Sequence, residues 1–115
     1  MALDISKSAE IIQTMEEYIA SVRPEPDIRP KFDIGYELKG NNVFLLEIRP
    51  VWNNHQEILR SPYAKATFVQ SKSVWKIYWM RGNLKLVLYD PRPEVKTLKA
   101  FLKIGEEDAY GCFKG

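Results

Sequence analysis

The sequence is poor in the residues that make reactive or metal-binding sites. Its 115 residues hold one cysteine and one histidine. A lone cysteine forms no intrachain disulfide, which excludes a disulfide-stapled secreted scaffold. One cysteine and one histidine also fall short of a structural zinc centre. No metal and no other cofactor is expected. No apolar run reaches bilayer length, and no charged-then-apolar leader opens the chain. The expectation is a soluble, cytoplasmic protein without a membrane partner. Internal repeats and low-complexity segments are lacking too.

What is present is ordinary for a globular chain: 45% hydrophobic residues, 28% charged residues and fourteen aromatic side chains. The length suits a single domain over residues 1–115. The net charge of +2 conceals an asymmetry. Residues 64–103 carry nine basic and two acidic groups, net +7, while the segments on either side are net acidic. Such a block suits a polyanion partner; the plainer reading is a solvated lysine-rich face.

Periodicity predicts a helix over 4–22, with Ile5, Ala9, Ile12, Met15, Ile19 and Val22 on its apolar stripe. Pro24 and Pro26 end it. Residues 32–39 alternate as a strand, with Phe32, Ile34, Tyr36 and Leu38 to one side. A Gly40-Asn41-Asn42 turn leads to a second strand over 43–49, which Pro50 should stop. Residues 51–63 read as a connection. Strands follow over 64–70, 74–81 and 84–89, the last two joined by a tight Gly82-Asn83 turn. A second helix is predicted from Asp90-Pro91-Arg92-Pro93, with Val95, Leu98, Phe101 and Leu102 on its apolar face and Gly105 at its end. The fold class expected is α+β: a five-stranded antiparallel meander with an N-terminal and a C-terminal helix, in two layers.

If both helices cover one face of the sheet, the other stays open. Alternation puts on it Glu37 and Lys39, Glu47 and Arg49, Lys65 and Thr67, Lys76 and Tyr78, and Lys85 and Tyr89. The fourth strand is ambiguous, because Trp75, Ile77 and Trp79 alternate with Val74, Tyr78 and Met80, and both sets are apolar. The burial of Trp52, Trp75 and Trp79 is therefore open.

Four chemistries suit these residues. Lysines neutralise phosphates and exposed rings stack on bases, so Lys65, Lys76, Tyr78, Trp79, Arg81 and Lys85 suit nucleic acid. Against this, no glycine-aromatic RNA-binding motif is present. Pro26-Asp27 followed by Glu47-Ile48-Arg49 superficially resembles the metal-binding pattern of restriction-type nucleases. Arg replaces the usual Lys there, and Asp33, though placed on a strand, lacks the preceding proline. His55 and Cys112 would form an activated thiol only if they met in space. Finally, Glu47 and Arg49 sit two apart on one strand, where ion pairing accounts for both without any function.

Several separated segments form a pattern. Arg23-Pro24, Glu47-Ile48-Arg49-Pro50-Val51-Trp52, Ala64-Lys65-Ala66-Thr67, Val74-Trp75-Lys76-Ile77-Tyr78-Trp79-Met80-Arg81 and the tail Asp108-Ala109-Tyr110-Gly111-Cys112-Phe113 follow one another. Together they resemble a small bacterial family of domains of unknown function, of the DUF3024 kind, across nearly the whole chain. Leu86 departs from it, standing where an aromatic is expected. The resemblance implies a self-contained domain and brings no activity, cofactor or catalytic residue. The reading that follows is a non-enzymatic binding or regulatory module. Its partner would be anionic, nucleic acid among the candidates, engaged through Lys65, Lys76, Tyr78, Arg81 and Lys85. The alternatives are an enzyme acting on a phosphate-containing substrate through Glu47, Arg49 and Lys65, or a protein-interaction module using a sheet edge or the tail around Tyr110 and Phe113.

Overall fold

The computed structural model describes residues 5–51, 53–80, 85–89 and 92–107. Helix α1 (Ile5–Val22) precedes strands β1 (Asp33–Lys39), β2 (Asn42–Val51), β3 (Asn54–Val69), β4 (Val74–Met80), β5 (Leu86–Leu88) and β6 (Glu94–Val95), and helix α2 (Leu98–Glu107) follows. Strands β1 to β5 lie in chain order as an antiparallel meander, and β6 pairs with β4. The architecture is α+β, as the periodicities predict.

Helix α1 turns a different line of residues to the sheet from the one expected. Ile11 and Met15 are buried and Tyr18 packs against the core. Ile5 is 90% exposed and Ile12 44% exposed. Two overlapping apolar stripes exist on this helix, and tertiary contact selects the one that carries Tyr18. The Lys7 ammonium lies 4.8 Å from the Phe68 ring centroid, so its stem extends the same face.

The segment between α1 and β1 is fastened by one ion pair. Arg23 donates from Nε to both Asp33 oxygens, at 2.9 and 3.1 Å, and from a terminal nitrogen at 2.7 Å. Asp33 Oδ1 also accepts the Ile34 N–H at 2.8 Å. The end of α1 is thus tied to the first residue of the sheet. Along β1, burial and the Glu16 carboxylate of α1 push the Tyr36 phenol up to about 12. Tyr36 keeps its proton in the fold at a pH where it loses it in the unfolded chain. Its stabilising contribution is therefore whole below pH ~10 and is lost as the pH rises toward 12. A spectrophotometric titration should find Tyr36 ionising late, and Glu16→Gln should bring its ionisation earlier.

The β1–β2 turn is tight, since Lys39 pairs directly with Asn42. Gly40 takes a φ of +59°, while a Cβ there would meet nothing within 4 Å. Gly40→Ala should therefore cost only backbone strain, about 1–2 kcal/mol, read as a lower urea midpoint. Asn41 fastens the turn to β3 by donating from Nδ2 to the Phe68 carbonyl at 2.8 Å.

The largest departure lies between β2 and β3. Residues 51–63, expected as a connection, belong mostly to a long hairpin arm. Pro50 remains in the ladder opposite Ile58. Proline is tolerated because β1 begins at Asp33, opposite Ile48, so β2 has no β1 partner at Pro50. Register shifts beside Pro50 and Leu45 absorb the irregular residues. The arm shows Ile58 and Leu59 to solvent, 57% and 55% exposed. Neither alternation nor burial marks such a segment in a sequence.

The C-terminal helix starts later than expected. Residues 94–95 are a strand, because the Pro93 carbonyl accepts the Ile77 N–H at 2.9 Å and Val95 opposes Trp75. Thr97 then caps α2, its Oγ1 accepting the Ala100 N–H at 3.1 Å. The helix runs through Gly105 to Glu107 rather than stopping at the glycine.

One cluster forms the core. Val43, Leu45, Ala64, Ala66, Trp75 and Ile77 from the sheet meet Ile11, Met15, Leu98, Phe101 and Leu102 from the helices. Both helices lie on this side of the sheet, with α2 against β3, β4 and β6. Trp75 is 1% exposed, and its ring centroid is 5.0 Å from that of Phe68. The ambiguity of β4 is thereby resolved: Trp75, Ile77 and Trp79 face the helices.

Candidate functional site

Strand alternation carries the complementary residues to the uncovered face. The register lines up Glu37, Phe44, Lys65, Tyr78 and Leu88 across β1 to β5. A parallel row holds Lys39, Asn42, Thr67, Lys76 and Glu94. Every member of a row is directly opposite its neighbour, so the side chains in it share one face.

The centre of the first row is a cation beside aromatic rings. Lys65 Nζ stands 4.4 Å from the centroid of the Tyr78 ring. On the other side of Lys65, one strand away, Phe44 is half-buried. In the second row Thr67 donates from Oγ1 to Asn42 Oδ1 at 2.7 Å, which fixes the side chains next to Lys76. Beyond Phe44 a cleft of about 220 Å³ opens between β1 and β3, lined by Glu37, Lys39, Phe44, Leu46, Arg60 and Pro62. Lys39, Arg60, Lys65 and Lys76 thus lie on one face with two carboxylates, Glu37 and Glu94, at its margins. Glu37 is within 3.9 Å of Lys39 Nζ.

Other expected site residues lie elsewhere. Glu47 and Arg49 share the alternation of Val43 and Leu45, not that of Phe44 and Lys65. They pair with each other at 3.2 Å, and Arg49 stacks on Phe32 at 4.8 Å. The sheet therefore separates Glu47 and Arg49 from Lys65, so these three residues do not converge on one substrate. Asp33 is bound by Arg23, and Asp27 is exposed in the turn before β1. Tyr89, expected on the open face, is 3% exposed within the core, and its N–H donates to the Ile77 carbonyl. Lys85 is exposed just before β5, on the alternation of Val87 rather than of Leu86 and Leu88. Trp79 packs against the core, so stacking on Trp75 or Trp79 has no place on the open face. Arg81, Trp52, Cys112, Tyr110, Phe113, the Gly82-Asn83 turn and the side chain of His55 lie outside the described residues.

Phe44 and Arg60 are among the members of this face that the sequence reading missed, with Asn42, Leu88 and Glu94. Phe44 stands in a run, Val43 to Leu46, that is apolar on both faces. Arg60 stands in the segment taken for a connection. Strict alternation from Leu38 across the turn would have found Phe44; nothing local marks Arg60.

A second concavity, about 470 Å³, lies on the opposite layer between α1 and α2. Tyr18, Val22 and Leu102 line it with Glu17, Lys99 and Lys103, so it carries one carboxylate and two ammonium groups. Among the described residues no three His, Cys, Asp or Glu side chains gather in reach of one ion. No helix among them is long and apolar enough to cross a membrane.

A family model described as a domain of unknown function, DUF3024, matches residues 4–115. The chain belongs to this family. No curated protein and no solved structure gives a significant match. The DUF3024 description names no activity, so the function of this DUF3024 chain is argued from its open face.

Proposed function

We propose that this DUF3024 domain is a non-enzymatic binding module whose anionic partner lies on the open face of the sheet, at Lys65, Lys76 and Tyr78. The observation that carries the reading is the Lys65 ammonium seated on the Tyr78 ring, with Lys76 one row away on the same uncovered face. A cation held over a ring on a solvated sheet offers an anion a charge and a flat surface together. Lys39 and Arg60 extend the positive field toward β1 and the arm. The +7 block thus divides: Lys65 and Lys76 share this face, while Lys96, Lys99 and Lys103 belong to the region of α2 on the other layer.

The partner class is tested with a mixed-sequence oligonucleotide and with heparin, at several salt concentrations. Affinity should fall steeply with salt, and Lys65→Ala or Lys76→Ala should each reduce the log–log slope for a single strand by about 0.7. Glu37→Gln removes a repulsive carboxylate at the margin and should tighten binding, by less than about tenfold. Glu47→Gln, on the far face, should leave affinity unchanged. Absence of binding to either probe at low salt would end the proposal.

A further inference from the structure

The open face has a finer chemistry than charge, and it rests on the reading just given. We infer that the anionic partner is a single-stranded nucleic acid crossing the strands, with one base on Tyr78 and another in the cleft against Phe44.

Three observations converge on this. First, Phe44 on β2 and Tyr78 on β4 lie in one cross-strand row with Lys65 between them. Neighbouring strands are ~4.8 Å apart, so the backbone positions that carry the two rings are about 10 Å from each other. Neighbouring or next-neighbouring nucleotides of an extended strand span such a gap, and the Lys65 ammonium, which rests on the Tyr78 ring, moves to the phosphate between them when a base takes that face. Second, the Phe44 end is concave. The cleft of about 220 Å³ is lined by the apolar Phe44, Leu46 and Pro62 and by Glu37, Lys39 and Arg60. The apolar lining suits the face of a base, and Arg60 suits a phosphate beside it, whereas Lys39 is paired with Glu37. Third, the acids mark the ends of the path. Glu37 ends the Phe44–Tyr78 row and Glu94 ends the Lys76 row. Each acid repels phosphate at one end of its row, the other ends being Leu88 and Lys39, and Lys65 and Lys76 draw it to the middle.

The choice of a single strand follows from the shape. Bases in a duplex are stacked on one another and offer no free face to a ring, and a duplex groove is read by a helix or ribbon that enters it. This face is the broad side of a sheet with its rings lying between strands. A sulfated polysaccharide matches the lysines but has no π-face for Phe44 or Tyr78. Ring stacking is the term that separates these partners.

The test uses the full chain with Phe44→Leu and Tyr78→Leu, which keep apolar bulk while removing the rings. Circular dichroism verifies that each variant is folded. Three probes are titrated: a mixed-sequence single-stranded DNA, the corresponding duplex and heparin. The wild type should prefer the single strand to the duplex. Each ring substitution should weaken single-strand binding by about 5- to 100-fold, with a clearly smaller loss of heparin affinity and little change in the salt slope. If both variants bind the single strand as the wild type does, or lose heparin to the same extent, the inference is overturned. If the wild type takes duplex or heparin in preference to the single strand, the inference falls while the anionic-partner reading stands. If it takes none of the three, both fall. Should Phe44→Leu unfold, Phe44→Tyr retains a ring at that position and should keep wild-type affinity; loss of affinity in that folded variant would also overturn the inference.

Discussion

Trp75→Ala is expected to destabilise the fold by about 3–5 kcal/mol, whereas Tyr78→Ala, three residues along the same strand, should cost about 1 kcal/mol or less. The difference comes from which side of β4 each residue occupies. Trp75 is 1% exposed and lies between Phe68 on β3 and Val95 on β6, beneath the two helices. Truncating it removes a large buried ring and leaves a cavity walled by both neighbouring strands and the helices, so collapse is only partial. Tyr78 lies half-exposed on the other face, where its described ring partner is the Lys65 ammonium. Domains of this size are stable by about 5–15 kcal/mol, so Trp75→Ala removes a large fraction of the total. Urea unfolding followed by far-ultraviolet circular dichroism measures both. Equal costs for the two variants would mean that the faces of β4 are assigned wrongly, and with them the open face.

The second large effect belongs to Asp33. Asp33→Ala should cost about 1–3 kcal/mol, because it removes a two-pronged bond to Arg23 and the acceptor of the Ile34 N–H together. The lower part of that range is favoured by solvent, since the Arg23 side chain is 41% exposed and the pair is screened. Arg23→Ala should also destabilise, by leaving a carboxylate of 13% exposure without its cation. The Arg23 hydrogen bond, aided by the Ile34 N–H and the nearby positive charges, holds the Asp33 carboxyl below its ordinary value of 3.8. The unfolded chain therefore binds this proton more readily than the folded one. The contribution is complete above the unfolded value and is lost as the pH falls from about 4 through the lower folded value. A series of urea midpoints from pH 6 to pH 2 should show a drop at the acid end that is shallower in Asp33→Asn. An identical acid limb in the variant would mean that the Arg23–Asp33 bridge is not formed in solution.

How much of this was legible in the sequence depended on the kind of signal each element carries. β1 and its turn alternate so cleanly that strand, turn and facing residues are all readable from 32–42. The meander order also follows from short turns. By contrast, α1 carries apolar residues on two adjacent stripes, and only contact with Tyr18 and the sheet selects between them. β4 is apolar on both sides, so its facing was decided by the helices that cover Trp75 and Ile77. The arm of β2 and β3 carries exposed Ile58 and Leu59 and a proline within the ladder, a pattern that reads as a loop because no core specifies it. Residues 94–95 lie where a proline-led helix start is also plausible, and the non-local bond from Ile77 to Pro93 with the pairing of Val95 to Trp75 settles them as strand.

The candidate face was legible in part for the same reason. Lys65, Thr67, Lys76 and Tyr78 lie on regular strands and were placed by alternation. Tyr89 and Lys85 were misplaced, because β5 is only three residues long and its phase cannot be read from so short a run. Glu47 and Arg49 were misplaced because a strand apolar on both faces gives no phase, and the register with β1 assigns them to the side of Leu45. What remains is a narrower surface than the charge block implied, and one with more aromatic character, because Phe44 joins Tyr78 across Lys65.

The most direct test of the central claim is an amide ¹H–¹⁵N titration of the full chain with a mixed-sequence single-stranded DNA at low salt. Binding at the open face predicts that shift changes concentrate on Asn42, Phe44, Lys65, Thr67, Lys76 and Tyr78 and reverse on addition of salt. Changes concentrated on α1 and α2 around Tyr18, Lys99 and Lys103, or no change on any residue, would contradict it.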